Sequence, residues 1–181
     1  MKQALKEWNA QIQALEAGSI SLIVRKGGIT ERKNDFEVEH QQFWLYPTFL
    51  HQNPGELQDQ YANLLLENPN PGLVEFQVFA EVASVWKIES LEVLKKLEPF
   101  QALSLAALER RFAYRNKPWV HAVLLRISRL PEPVILPETQ HYAGCISWVE
   151  LETEIVVQDL KPVIEDVRFL ELQTELKRIL Q

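Results

Sequence analysis

The sequence predicts an α+β fold, on three observations. Helical periodicity marks both ends of the chain, several β-patterned runs lie between them, and the two kinds of segment do not alternate strictly as a doubly wound sheet requires. Neither a Gly-x-Gly-x-x-Gly nor a Walker sequence is present, which argues against the two common glycine-rich nucleotide loops. The expected architecture is a single domain over residues 1–181. It consists of a mixed, mostly antiparallel sheet or a partly closed β-barrel, flanked by helices at both termini. With 181 residues, 46% of them hydrophobic, the chain is long enough to bury a substantial core.

Ala4, Leu5, Trp8, Ile12 and Leu15 recur every three or four residues, so 2–17 reads as an amphipathic helix stopped by Gly18. The β-branched run 19–25 reads as a strand leading into Lys26, Gly27 and Gly28. Phe36, Val38 and His40, then residues 43–46, suggest two more strands, the second halted by Pro47. Spacing predicts a helix over 57–66, ended by the Asn68-Pro69-Asn70-Pro71-Gly72 run. Val74, Phe76, Val78, Ala80 and Val82 alternate, which predicts a long half-buried strand over 73–88. Ser90 is the expected N-cap of a short helix reaching Leu97 and closed by Pro99. Residues 101–112 read as a helix and 119–129 as a central strand. Pro131, Pro133 and Pro137 predict an extended connection. Residues 148–154 and 155–157 are strand-like, and 162–180 form a terminal helix with Val163, Val167, Leu170 and Leu176 on an apolar stripe.

Composition narrows the chemistry. Cys145, the single cysteine, can neither close an intramolecular disulfide nor build a Cys-based zinc site. A reducing compartment suits it. The segment after Met1 is polar and no run approaches ~18 apolar residues, so the expected location is the cytoplasm, with no membrane partner. The net charge of -6 is unevenly spread: residues 1–130 hold 15 Lys and Arg and 15 Asp and Glu, whereas 131–181 hold 4 and 10. Within 103–130 the cations Arg110, Arg111, Arg115, Lys117, Arg126 and Arg129 stand against Glu109 alone. An anionic partner fits that region despite the acidic total, because binding follows the local field.

Four segments carry residues with chemical uses. Arg25 and Lys26 leave a strand beside Gly27 and Gly28, a combination that lets backbone and cations approach a phosphate or carboxylate, or that simply turns a hairpin. Glu37, Glu39 and His40, with Tyr46, Thr48, His51 and Gln52, offer acid–base or metal-ligating groups in no ordered metal motif, and equally donors and acceptors for a base edge. From Arg110 to Trp119, cations interleave with Phe112, Tyr114 and Trp119, which suits phosphate contact plus base stacking, or a helix end with its rings turned inward. His141 and Cys145 are four apart, but Gly144 opposes the helix that would bring them together as base and nucleophile.

The opening Ala4-Leu5-Lys6-Glu7-Trp8, the Arg25–Ile29 run, Phe43-Trp44-Leu45-Tyr46-Pro47-Thr48 with His51-Gln52, and the 142–149 segment together resemble a bacterial family, prevalent in cyanobacteria, described as a domain of unknown function. The resemblance covers nearly the whole chain. It implies a single-domain cytoplasmic protein and supplies no activity. A weaker likeness, to small β-barrels of the PUA and ASCH type, comes from the Phe79–Trp86 strand before a short helix and from the strand 119–129; such barrels bind RNA or modified bases.

Three functions follow as expectations. The favoured one is a non-enzymatic binding module for single-stranded nucleic acid or a nucleotide-like anion, with Arg25, Lys26, Arg111, Arg115 and Lys117 as cation contacts. Gly27 and Gly28 would allow close approach, and Tyr46, Thr48, His51, Gln52 or Trp119 would read a base. The second is a metal-assisted hydrolase or nuclease using His40 and His51 with Glu37 or Glu39. The third is an interaction protein, monomeric or homodimeric, that docks through its terminal helix. No cofactor is implied. The favoured reading requires that Lys26, His51, Gln52 and the 142–147 segment converge in space.

Overall fold

Residues Gln3–Trp8 form strand β1, and helix α1 occupies Asn9–Glu16. The helix expected over 2–17 is thus half strand. β1 is paired on both edges, parallel to β5 (Gln42–Thr48) and antiparallel to β8 (Trp148–Glu150), and two ladders outweigh a local helical spacing. Its neighbours Ala4 and Leu5 are both buried, on opposite sides of the sheet. The computed structural model describes residues 1–26, 40–144 and 146–180, with the backbone of 31, 32, 35 and 36.

The main sheet has seven strands. Strands β2 (Leu22–Arg25), β6 (Leu73–Ile88) and β7 (Val120–Pro137) join those above in the order β2-β7-β6-β5-β1-β8, with β9 (Lys161–Pro162) also on β7. Among the described residues, only β1 and β5 pair in parallel. The two-residue strands β3 (Glu31–Arg32) and β4 (Asp35–Phe36) pair separately. The sheet is not closed by a backbone ladder, so of the two expected architectures the open mixed sheet is the one found. Among the described residues no helix is long and apolar enough to cross a membrane.

Prolines sit where the ladder makes room for them. Pro47 lies inside β5, opposite Glu7, and does not halt the strand. The expected connection through Pro131, Pro133 and Pro137 is instead the far half of β7. Arg129 pairs with Val78 and Val134 with Phe76, so residues 130–133 bulge against Gln77 alone. Pro131 and Pro133 occupy that bulge, where no ladder N–H is required, and the Gln77 side chain fills it by donating to the Leu130 carbonyl at 3.2 Å. The bulge also switches side-chain parity: Val74 and Phe76 face one core, whereas beyond it Phe79 faces that core and Val78 and Ala80 the other.

The larger core lies under the helices α1, α2 (Leu91–Lys95), α3 (Leu105–Ala113) and α4 (Asp166–Leu180), with Leu15, Leu45, Leu94, Leu108, Leu124 and Leu176 fully buried. A smaller core on the other side gathers Trp44, Tyr46, Phe76, Phe79 and Tyr142. The helix expected over 57–66 is a short 3-10 segment, Asp59–Leu64, and the strand expected over 148–154 ends at Glu150. Residues 155–157 form no strand. The stripe on α4 divides: Leu176 is buried, whereas Val167 and Leu170 are exposed.

Candidate functional site

The curl of the sheet brings its two ends together, and a side chain spans the gap. Arg25, the last residue of β2, donates to the Lys6 carbonyl at 3.0 Å, to Glu7 Oε2 at 2.9 Å and to Ser147 Oγ at 3.0 Å. Glu7 is buried, and its other oxygen accepts from the Trp8 amide at 3.0 Å and Gln11 Nε2 at 2.7 Å. Its carboxylate is therefore fully engaged, as a buried charge must be. Lys6 lies on the opposite side of β1, where Nζ donates to the Tyr142 carbonyl and, at 3.1 Å, to that of Gly144. The opening segment thus meets the 142–149 segment through Lys6, and Arg25 joins them at Ser147, 122 residues away in sequence.

Two further segments join them. Thr48 Oγ1 donates to the Glu7 carbonyl at 3.0 Å, tying the end of β5 to β1. Gln52 turns back so that Oε1 accepts from the Ala10 amide at 3.1 Å, satisfying a first-turn donor of α1 that no residue within the helix can reach. His51, beside it, is exposed at φ 62°.

The cationic segment closes over the end of β2. Ser104 caps α3 by accepting from the Ala107 amide at 3.3 Å, which sets the helix on which Arg111 is carried. Arg111 Nη1 donates to the Val24 carbonyl at 2.9 Å, and the guanidinium lies 5.5 Å from the Trp8 ring. Burial pushes its pKa down from the ordinary value, an effect the Glu7 and Glu56 carboxylates oppose. Lys26 Nζ donates to three carbonyls, those of Phe112 (3.2 Å), Lys117 and Trp119, and lies 4.4 Å from the Trp119 ring centre. Its pKa is lowered by burial first and by Lys117 second. Lys87 approaches the same ring at 5.6 Å, and Arg115 lies 5.2 Å from the Tyr114 ring. Arg115 and Asn116 both have left-handed backbones, φ 58° and 55°, an uncommon pair outside glycine.

Of the residues singled out from sequence, Arg25, Lys26, Thr48, Gln52, Arg111 and Trp119 are linked through these contacts, and Arg115 and Lys117 form the exposed rim. Tyr46 sits in the smaller core, its hydroxyl donating to Glu138 at 3.0 Å; burial and that carboxylate raise its pKa. Gly27, Gly28, Glu37, Glu39 and Cys145 lie outside the described residues. Glu7 and Trp8 read from the sequence as part of a helix and not as site residues, whereas Ser147 belongs to the 142–147 segment expected to converge there.

The metal-assisted reading meets a geometric obstacle. His40 and His51 flank opposite ends of β5, a seven-residue strand ~20 Å long, so they cannot ligate one ion. His40 instead packs edge-on to Trp148 with ring centres 4.9 Å apart. Among the described residues no three His, Cys, Asp or Glu side chains are grouped to hold a metal. An apolar cleft lined by Ile12, Leu45, Phe49, Leu66, Leu73 and Ile135 has no Lys or Arg in its wall.

Residues 4–175 match the family described as Domain of unknown function (DUF1802). No curated protein matches the sequence. Among solved structures, the chain is similar to the crystal structure of ASCH from Zymomonas mobilis, at 13% identity and a TM-score of 0.42, covering 95% of this chain and 93% of that one. A mutant of the same protein matches with a TM-score of 0.45 at 13% identity, over 83% and 89% of the two chains.

Proposed function

The chain belongs to the DUF1802 family, a description that assigns no activity, and we propose from its own geometry that it is a binding module for single-stranded nucleic acid or a nucleotide-like anion. One observation carries this reading: cations and aromatic rings from distant segments alternate around the end of β2. Arg111 lies over Trp8, Lys26 and Lys87 over Trp119, and Arg115 over Tyr114. Tyr114 is 54% exposed, so its ring is the one open to stacking, while the exposed Arg115 and Lys117 contact phosphate. Binding needs no resident cofactor, and the cytoplasm, where nucleotides and RNA are abundant, is the compartment this reading implies.

Fluorescence anisotropy with short single-stranded RNA and DNA tests it. Affinity should fall as salt rises, with a log–log slope near -0.7 per phosphate contacted. Arg115→Gln with Lys117→Gln should weaken binding to all sequences alike. No binding of either polymer or of mononucleotides at low salt would refute the proposal.

A further inference from the structure

Arg111 is set deeper than Arg115 and Lys117, which are exposed. Both carboxylates close enough to influence it are already committed: Glu7 to Arg25, Gln11 and the Trp8 amide, and Glu56 to Arg110 at 2.9 Å. Among the described residues Arg111 forms no ion pair of its own, and its one hydrogen bond is to the Val24 carbonyl. A guanidinium carries five N–H donors in a rigid fork, stays charged, and is costly to desolvate without a counter-charge. This one is recessed: its residue is half-buried, the Trp8 indole covers one side and the end of β2 holds one edge. None of its nitrogens is buried without a partner, so the donors that Val24 does not use reach solvent and can take a bidentate anion.

The chemistry of the recess selects among anions. We infer that Arg111 receives a phosphomonoester, either the terminal phosphate of a nucleic-acid strand or the phosphate of a free nucleotide; this rests on the binding reading above and specifies its ligand. A monoester carries a charge of about -1.5 to -2 near neutral pH, more than the single charge of an internal phosphodiester, and its unesterified oxygens fit the guanidinium fork. An internal phosphate has a chain on both sides, and both must leave a recess whose walls are Trp8 and the β2 backbone. A terminal phosphate has only one chain to accommodate.

The experiment compares oligoribonucleotides of one sequence with a 5′-phosphate, a 3′-phosphate or hydroxyls at both ends, and a nucleoside monophosphate against its nucleoside as competitors. One phosphorylated form should bind about tenfold tighter than the hydroxyl form, and competition by the monophosphate alone would identify a free nucleotide as the source. The preference should vanish in Arg111→Gln and be reduced in Arg111→Lys, which keeps the charge but loses the fork. Equal affinity for all ends in the wild-type protein overturns the subsite and leaves the binding module standing, whereas no binding by any probe overturns both. A preference that survives intact in Arg111→Gln also overturns the assignment. Should that variant fail to fold, the wild-type comparison and Arg111→Lys decide.

Discussion

His121 is set in a cationic row, with Arg25 on one neighbouring strand and Lys87 on the other at the same register. It is buried, and its ring lies 4.8 Å from that of Trp119. Burial first, then Lys87 and Lys26, push its pKa down from 6.5 to about 4. The unfolded chain therefore takes up a proton before the folded one does as pH falls. The imidazole's contribution is complete above about pH 6.5 and is lost between there and pH 4, by about 3 kcal/mol. Urea denaturation of wild type and His121→Leu across this range should show the variant losing less stability on acidification. Parallel pH profiles would mean that His121 is not held neutral.

At the scale of elements, the loop after α3 shows how a recognition surface is held. Arg115 and Asn116 in left-handed backbone cost about 1 kcal/mol each, a strain that surrounding contacts must offset. Lys26 is the offsetting contact, since one ammonium gathers three carbonyls across residues 112–119. Lys26→Met should lower stability by about 1–3 kcal/mol and speed amide exchange in residues 113–119, measured by hydrogen exchange; unchanged exchange there would show that the loop is held otherwise. Much of this was legible in sequence and some was not. The alternation over 73–88 and the cap Ser90 are local signals, and β6 and α2 follow them, whereas the helix expected from 101 starts at Leu105, after its cap Ser104. β1 was misread because Ala4, Leu5 and Trp8 satisfy helical spacing as well as a strand buried on both sides, and only its two partners, distant in sequence, decide between them. The cations at 110–117 were visible, but that Lys26 spends its donors on the backbone while Arg111 keeps most of its own is a matter of tertiary geometry.

In the whole molecule the amino-terminal strand is joined to residues 142–150. The acidic excess of the last quarter lies in residues outside the cationic rim, so a net charge of -6 coexists with a surface suited to anions. The junction itself depends on residues 142–150: β8 covers the outer edge of β1, and Ser147 and the carbonyls of Tyr142 and Gly144 receive Arg25 and Lys6. That arrangement has a consequence for the order of synthesis. The chain emerges from its amino end, so until residue 150 is made β1 lacks its outer partner and is a sheet edge, with its N–H and C=O groups free to pair with another chain. Chains shortened to residue 140 should form larger assemblies in light scattering than the full chain, and a short chain that is no larger would contradict this. The last quarter, for all its acidic excess, is then what keeps the first strand from meeting strangers during translation.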